Sequence, residues 1–517
     1  MASTEDGDLR LLQLCSKESW WRVPHLVKLN LLLMIPFLSS YVGGFDGSML
    51  NGIQTVPKWQ EDFNHPRGGL LGLMVNMQVI GGAVSLPLAP WAADRFGRRL
   101  PLFVGAIIIV LGAIVQGAAH NFGMFIAGRF FVGLGGGLIA TAAPPLLGEL
   151  AYPTHRPIYT ATYNTQWYVG AIVAAWSTYG TFRMSSSWSW RIPSLLQALV
   201  SIFQIAFVWF VPESPRWLIA NGRTEEATRI LSRHHCGTEE PNELVLLQVA
   251  QITSAIEFER SYESVSYIQF IKSKGNRHRL FIVVSMGFVI QLCGNALISS
   301  YLGLVLTDIG VTNPETQNLI NGGLQIYNFF IATSSASLID RLGRRFMLLT
   351  STIGMIMAFV IWTGLAARNQ QSGTSNQGLG IGVVVMVFVF FTFYNFAMQP
   401  LPIAYLLEVL PYTLRTRGLT LFNLAQYASS MFNGFVNPVA LEALRWKYYI
   451  VFDCVLVLIL GIVYFGYPET RGMTLEEVSE IFDGRVALER TYDIKAEVAT
   501  HTEHTEKVIS KQDTIRT

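Results

Sequence analysis

Charge is scarce in this 517-residue chain. Asp, Glu, Lys and Arg make up 14% of it and hydrophobic residues 51%, whereas soluble domains carry about 25% charged residues. That shortage excludes an ordinary water-soluble enzyme, because much of the surface must face something other than water. Cysteine is scarce too. The four present, Cys15, Cys236, Cys293 and Cys454, stand far apart without metal-ligand or redox spacing, so neither a disulfide framework nor a zinc or other metal site is expected.

Apolar runs are abundant. Crossing about 30 Å of hydrocarbon takes roughly 20 predominantly apolar residues. Twelve such runs occur, at 27–50, 69–90, 100–119, 122–146, 158–182, 191–211, 279–307, 316–339, 345–366, 380–407, 416–440 and 446–467. The expected fold class is therefore an all-α polytopic membrane protein. The first run follows a polar stretch holding Glu5, Asp6, Asp8 and Glu18 and has no small-residue cleavage site after it, so it reads as an anchor. Arginines gather in the loops after runs two, four, eight and ten (Arg95, Arg98, Arg99, Arg156, Arg341, Arg344, Arg345, Arg415, Arg417), and the loops after three and seven carry neither Lys nor Arg. Cytoplasmic loops retain positive charge. With an even number of spans, both termini are expected in the cytoplasm.

One charged signature occurs twice. DRFGRR at 94–99 follows run two and DRLGRR at 340–345 follows run eight. Two further pairs keep the six-run offset: Glu149 with Arg156 against Glu408 with Arg415, and PESPR at 212–216 against PETR at 468–471. Three matches in one order indicate duplication into two related six-helix halves. The division expected is a tail at 1–26, a first bundle at 27–211, linker helices at 212–278, a second bundle at 279–467 and a tail at 468–517. Each copy alone can be read as a topogenic loop. Repeated in register, the set reads as a gate latch in which arginines pair with carboxylates of neighbouring helix ends and glycine permits a tight corner. Its members are Asp94, Arg98, Arg99, Glu149, Arg156 and Glu213, and in the second copy Asp340, Arg344, Arg345, Glu408, Arg415 and Glu469. The linker holds no GxxxxGK[ST] phosphate loop, so ATP is not an obvious energy source. Parallel halves around a central site are a recurrent secondary-transporter architecture.

Polar residues form stripes within the apolar runs. In run eleven Asn423, Gln426, Ser430, Asn433 and Asn437 fall on one helical face. Run eight repeats the pattern with Asn321, Gln325 and Asn328, run seven with Gln291, Asn295 and Ser299, and run ten with Asn395 and Gln399. Single carboxamides can merely join helices by hydrogen bonds. Four aligned stripes read as a polar pathway. Carboxamides offer donors and acceptors to neutral hydroxyls, and Tyr163, Trp167, Tyr327, Tyr394 and Tyr427 can pack against an apolar sugar-ring face.

Asp46 sits in the first run beside Gly43, Gly44 and Gly47, where an unpaired carboxylate costs about 3 kcal/mol. Run four supplies Arg129, followed by Gly133, Gly135 and Gly137, which allow close helix approach. A static buried ion pair is one reading. The other is that protonation of Asp46 releases Arg129, so that proton occupancy tracks conformation.

These motifs resemble the sugar porter family of the major facilitator superfamily from Val42 to Val478. The likeness rests on GGFDG at 43–47, GRFFVGLGGG at 128–137, PESPRWL at 212–218, PETRGMTLEEV at 468–478 and both signatures. GELAYPTHR at 148–156, QLCGN at 291–295, EVLPYTLRTRG at 408–418 and FVNPVAL at 435–441 resemble the fungal lactose-permease and cellodextrin-transporter branch. The resemblance implies a twelve-helix proton-coupled sugar importer at a fungal plasma membrane, in which Asp46 takes the proton and Arg129 is its partner. For the sugar it implies Asn164, where members usually have Gln, and Gln291, the second Gln of the usual pair. Asn328 and Gln426 join them, and Asn295 stands one position early. Gln399 and Asn433 complete the substrate set read from the stripes. Ile290 replaces the first Gln of the pair, Ile403 the helix-ten Trp, and Pro90 the first glycine of the cytoplasmic signature.

The function expected is proton symport of a neutral mono- or disaccharide by alternating access, with no catalysis. Beyond the proton no cofactor is expected, and no nucleic-acid partner. Lipid is expected around the chain, and the functional unit expected is a monomer. Uniport, export of a sugar-like metabolite and non-transporting sugar sensing are the alternatives.

Overall fold

The structure is a computed structural model that describes residues 10–483 apart from 12, 17, 262–265, 337, 373–376 and 474. Among the described residues, twelve long helical elements build the bundle. The first six are α1 (Pro24–Phe37, then Ser39–Gln54), α2 (Gly69–Phe96), α3 (Arg99–Gly117), α4 (Phe122–Leu150), α5 (Arg156–Tyr163, then Gln166–Thr181) and α6 (Trp188–Leu196, then Ala198–Phe207). The last six are α7 (Lys274–Leu292, then Asn295–Asp308), α8 (Pro314–Ala336), α9 (Arg344–Gln371), α10 (Gln377–Ala397, then Leu401–Val409), α11 (Tyr412–Leu444) and α12 (Lys447–Gly466). No strand occurs among the described residues.

Among those residues, nine helices are long and apolar enough to cross a membrane. The other three are α5, α8 and α11. Helix α5 is interrupted at Asn164–Thr165, while α8 and α11 carry the rows of Asn and Gln. Several helices also outrun their apolar stretches: α2 continues to Phe96 and α11 spans Tyr412–Leu444. Hydrocarbon thickness sets the apolar length, but backbone hydrogen bonding carries on into the polar ends.

Hydropathy draws α1, α5, α6, α7 and α10 as unbroken, and the structure divides all five, three of them beside the carboxamides. In α7 the cause is Gly294, whose φ of +102° suits glycine and ends the first segment before Asn295 starts the second. In α10, Pro400 and Pro402 lack the N–H groups that would continue the ladder. In α5 the Thr165 hydroxyl takes the Thr162 carbonyl at 2.6 Å, a local bond that competes with the helix.

Helices in lipid gain nothing hydrophobic by meeting one another, so close approach of their backbones matters. A Cβ on Gly44 would lie 1.7 Å from the Trp167 carbonyl oxygen, and one on Gly170 2.1 Å from that of Tyr41. Helices α1 and α5 therefore touch backbone to backbone. Gly133 meets the Gln78 carbonyl and Gly81 that of Phe130, joining α2 to α4, while Gly105 and Gly135 face each other between α3 and α4. The second half relies on aromatic packing, with Phe359 stacked on Trp362 at 4.7 Å and Tyr449 5.0 Å from that indole.

Short helices Pro215–Ala220, Thr224–Leu231 and Glu243–Ser261 fill the polar stretch between the halves. The buried His235 ring sits 3.0 Å from Gln248 Oε1 and 3.2 Å from the Leu150 carbonyl at the end of α4. Burial holds this imidazole down at about 4, so it ties the stretch to the bundle as a neutral ring.

Gly44→Ala is expected to lower bundle stability by about 3 kcal/mol through overpacking, because backbone cannot move aside. Gly136→Ala, with nothing within 4 Å of its Cβ, is the control. Equal melting temperatures for the two variants in detergent would contradict the backbone contact.

Candidate substrate and coupling site

The glycine contacts bring α1 and α4 onto opposite sides of one buried pair. Asp46 is 0% exposed and Arg129 1%. Arg129 Nη1 donates to Asp46 Oδ1 at 3.1 Å and Nη2 to Oδ2 at 3.2 Å, a two-pronged arrangement. Its Nε donates to the Met74 carbonyl at 2.8 Å and Nη2 also to Gln78 Oε1 at 3.0 Å. Both acceptors lie on α2, so Arg129 keeps partners there if Asp46 loses its charge.

The carboxamide stripes converge. Tyr168 of α5 donates to Asn395 Oδ1 at 2.5 Å, and Asn395 Nδ2 to Asn328 Oδ1 at 3.0 Å, which links α5, α10 and α8. Asn295 Nδ2 donates to the Tyr394 hydroxyl at 3.1 Å and Asn433 Nδ2 to the Gln291 carbonyl at 2.6 Å. Asn164 stands exposed in the α5 interruption and Gln399 half-buried in that of α10; Gln426 is half-buried on α11. The side-chain amides of these three make no hydrogen bond with the described residues, which leaves them open to a ligand.

Exposure along α11 shows which end is open. Asn423 is exposed, Gln426 and Ser430 are half-buried, and Asn433 and Asn437 are buried. The polar path thus opens at the end bearing the DRxGRR corners and closes at the other. Closure there joins the two halves: Asn51 Nδ2 donates to the Ser299 carbonyl at 2.6 Å, Gln54 to that of Ser300 at 3.0 Å, and Asn318 to Thr55 Oγ1 at 2.8 Å. An Arg183–Glu315 ion pair lies at the same end. Tyr301 explains the acceptors: at φ −136° and ψ 27° it leaves the helical conformation, which disrupts the α7 ladder beside these carbonyls.

At the open end each signature is held within its own half. Glu213 accepts from the backbone N–H of Arg98 at 2.9 Å, Arg99 at 3.2 Å and Ser214 at 2.8 Å. Glu469 accepts from Arg344 at 2.8 Å and from Arg345, Thr470 and Arg471 at 3.0 Å each. A carboxylate therefore sits on the N-terminus of α3 and another on that of α9, where the helix dipole favours it. Gly97 at φ +88° and Gly343 at φ +91° make the corners. Arg99 Nη2 reaches the Trp209 carbonyl and Arg345 Nη2 that of Tyr464, both at 2.6 Å. The Ser214 hydroxyl donates to Glu149, and the Thr470 hydroxyl to Glu408 at 2.5 Å.

Arg98 joins Asp94 on its own helix at 3.1 Å, whereas Arg344 joins Glu408 of α10 at 2.8 Å. Asp94 forms the last turn of α2, with its side chain 75% exposed. Arg415 donates to the Leu407 carbonyl at 2.9 Å, and Arg156 opens α5. The side chain of Asp340 lies outside the described residues. Asn51, Gln54, Gln78 and Tyr168 are not among the stripes; Asn51 and Gln54 lie just past the apolar run that ends at residue 50, on the helical turn that continues to Gln54.

The family model described as "Sugar (and other) transporter" matches residues 32–482. An MFS-type transporter of Aspergillus cristatus is 27% identical over 464 residues, covering 89% of this chain and 94% of that one. A low-affinity glucose transporter of Saccharomyces cerevisiae is 28% identical, covering 87% and 81%. Among solved structures, the inward open conformation of a xylose transporter from E. coli matches with a TM-score of 0.72 at 19% identity, covering 88% of this chain and all of that one. The proton:xylose symporter bound to 6-bromo-6-deoxy-D-glucose matches with a TM-score of 0.69 at 20% identity.

Burial works against the charge of Glu469, but backbone N–H donors from Arg344, Arg471, Thr470 and Arg345 outweigh it and hold the carboxyl below its ordinary range. A carboxyl lowered on folding stabilises at every pH above its unfolded value and loses that contribution as pH falls through the folded one. Glu469→Ala should therefore cost about 2 kcal/mol near neutrality and progressively less as pH falls below the ordinary carboxylate range and the native group takes up its proton. A melting difference that persists unchanged at pH 3 would refute the contact.

Proposed function

Because the chain belongs to the sugar transporter family of the major facilitator superfamily, a multi-pass membrane family, we propose that it imports a neutral mono- or disaccharide by proton symport. The observation that carries this is the Asp46–Arg129 pair. A two-pronged ion pair with essentially no exposure is a costly fixture in hydrocarbon unless its charge changes during function. In the proposed cycle a proton neutralises Asp46, and Arg129 stays held by Met74 and Gln78, so α1 is freed from α4 without stranding a cation. One proton crossing 100 mV supplies about 2.3 kcal/mol, enough for roughly 50-fold accumulation of a neutral solute.

The sugar site is assigned to the convergence of Asn164, Gln291, Asn295, Asn328, Gln399, Gln426 and Asn433, with Tyr168, Asn395 and the 43%-exposed Trp167 beside them. Amide pairs alternate donors and acceptors as hydroxyls require. Arginine-rich corners favour a cytoplasmic position for the signature end, which supports reading the conformation as open inward; the membrane we assign is the plasma membrane. The corner residues then act as the cytoplasmic gate. Each half moves as a unit because Glu213 and Glu469 bind its loops internally.

Facilitative uniport is the alternative, in which Asp46 and Arg129 form a static buried ion pair. Asp46→Asn separates the two readings. Under symport it abolishes uphill uptake and sugar-induced alkalinisation while exchange persists, and full accumulation in the variant would sink the proton role. Radiolabelled uptake of mono- and disaccharides in a transporter-deficient cell, with and without a protonophore, identifies the sugar.

A further inference from the structure

Helices α7 and α12 lie at the rim of the second half, and between their ends nearest the signature corners runs a groove of about 530 Å³. Leu280, Phe281, Val284 and Phe288 form one wall and Leu458 and Ile462 the other. Phe281 is 46% exposed, Phe288 38% and Leu458 62%, so the walls face the bilayer and not the protein core. Two contacts tie the helices together there: His278 to the Gly466 carbonyl at 2.7 Å, and Ser285 to the Tyr467 hydroxyl at 2.9 Å.

The mouth of the groove is cationic. Arg277 lines it and falls on the same α7 face as Phe281, Val284 and Phe288. Lys274, one turn earlier, and Lys272 are exposed beside it. No carboxylate of the described residues forms an ion pair with any of the three. Two residues away, Arg279 is neutralised by Asp483 at 2.8 Å, so the local acid serves the other face. Just before α7, Ile268 and Ile271 are 61% and 63% exposed. Apolar residues exposed next to lysines are the pattern of a segment resting at the membrane interface.

We propose that this groove binds an anionic phospholipid, with one acyl chain between α7 and α12 and the headgroup phosphate on Arg277 and Lys274. Apolar walls alone accept any lipid tail. The unneutralised cations select charge, and they stand on the arginine-rich side, where anionic lipids concentrate if that side is cytoplasmic. Since α7 also carries Gln291 and Asn295, a lipid wedged behind it bears on the helix that breaks at Gly294.

The test uses the purified full-length chain in neutral detergent, titrated with dioleoyl phosphatidylserine or dioleoyl phosphatidylcholine while its melting temperature and the lipid retained are measured. Melting without lipid first shows that each variant folds. Phosphatidylserine is expected to bind more tightly than phosphatidylcholine and to raise the melting temperature. Each cation removed should weaken it about five-fold, so Arg277→Gln with Lys274→Gln weakens it ~30-fold. Val284→Trp fills the groove and should abolish the gain with the cations intact, while Arg67→Gln, at the opposite end, should leave it unchanged. Equal binding of the two lipids, or an unchanged gain in the double variant, overturns the site. A gain surviving Val284→Trp overturns the acyl-chain placement.

Discussion

Asp46 and Arg129 are opposite charges facing each other with essentially no exposure, and nearly every feature of the first half serves their meeting. A charge at that depth is tolerated only when paired and hydrogen-bonded, so α1, α2 and α4 must approach within side-chain reach. Glycines permit that approach: Gly133 lets the backbone of α4 touch Gln78, the residue whose amide then completes the Arg129 shell. On the far side Gly44 and Gly170 press α1 onto α5, which brings Trp167 alongside the aspartate helix. The proposed proton site and the proposed sugar path are neighbours because the same helix faces build both.

Duplication gives the second half the same frame without the pair. The carboxylates of Glu213 and Glu469 sit alike on the N-termini of α3 and α9, and Arg99 and Arg345 reach back to the carbonyls of Trp209 and Tyr464. Where the halves diverge, so do their tasks. The first concentrates charge at Asp46, and the second supplies Gln291, Asn295, Asn328, Gln399, Gln426 and Asn433. Breaks in α5, α7 and α10 fall beside these carboxamides because irregular backbone at membrane depth survives only where it is buried in protein or borders a polar cavity.

Much of this was legible in the residues. Long apolar runs can only be helices in lipid, so the architecture follows from hydropathy, and the in-register signatures reveal the two halves. The Asp46 and Arg129 partnership is also readable, since each is the conspicuous charge of its run. Less legible were the helix breaks: Gly294 ends a segment only because its φ turns positive, and many glycines here do not. Asn51 and Gln54 are less legible because they fall past the apolar run ending at residue 50 and their acceptors are backbone carbonyls of α7, nearly 250 positions away in sequence.

Local chemistry settles what each segment must be, since apolar length, charge placement and motif spacing act over one helix or one corner. It therefore specifies twelve helices, their duplication and the residue types available for binding. Long-range packing settles which of those residues meet. Whether a carboxamide joins a neighbour, as Asn328 does with Asn395, or stays open, as Asn164 does, depends on helix crossings set by glycine contacts in the first half and by aromatic packing in the second. Which end of the path is closed depends on the same crossings. A difference of one helix face moves a side chain from the path to the lipid, and no local pattern records that rotation.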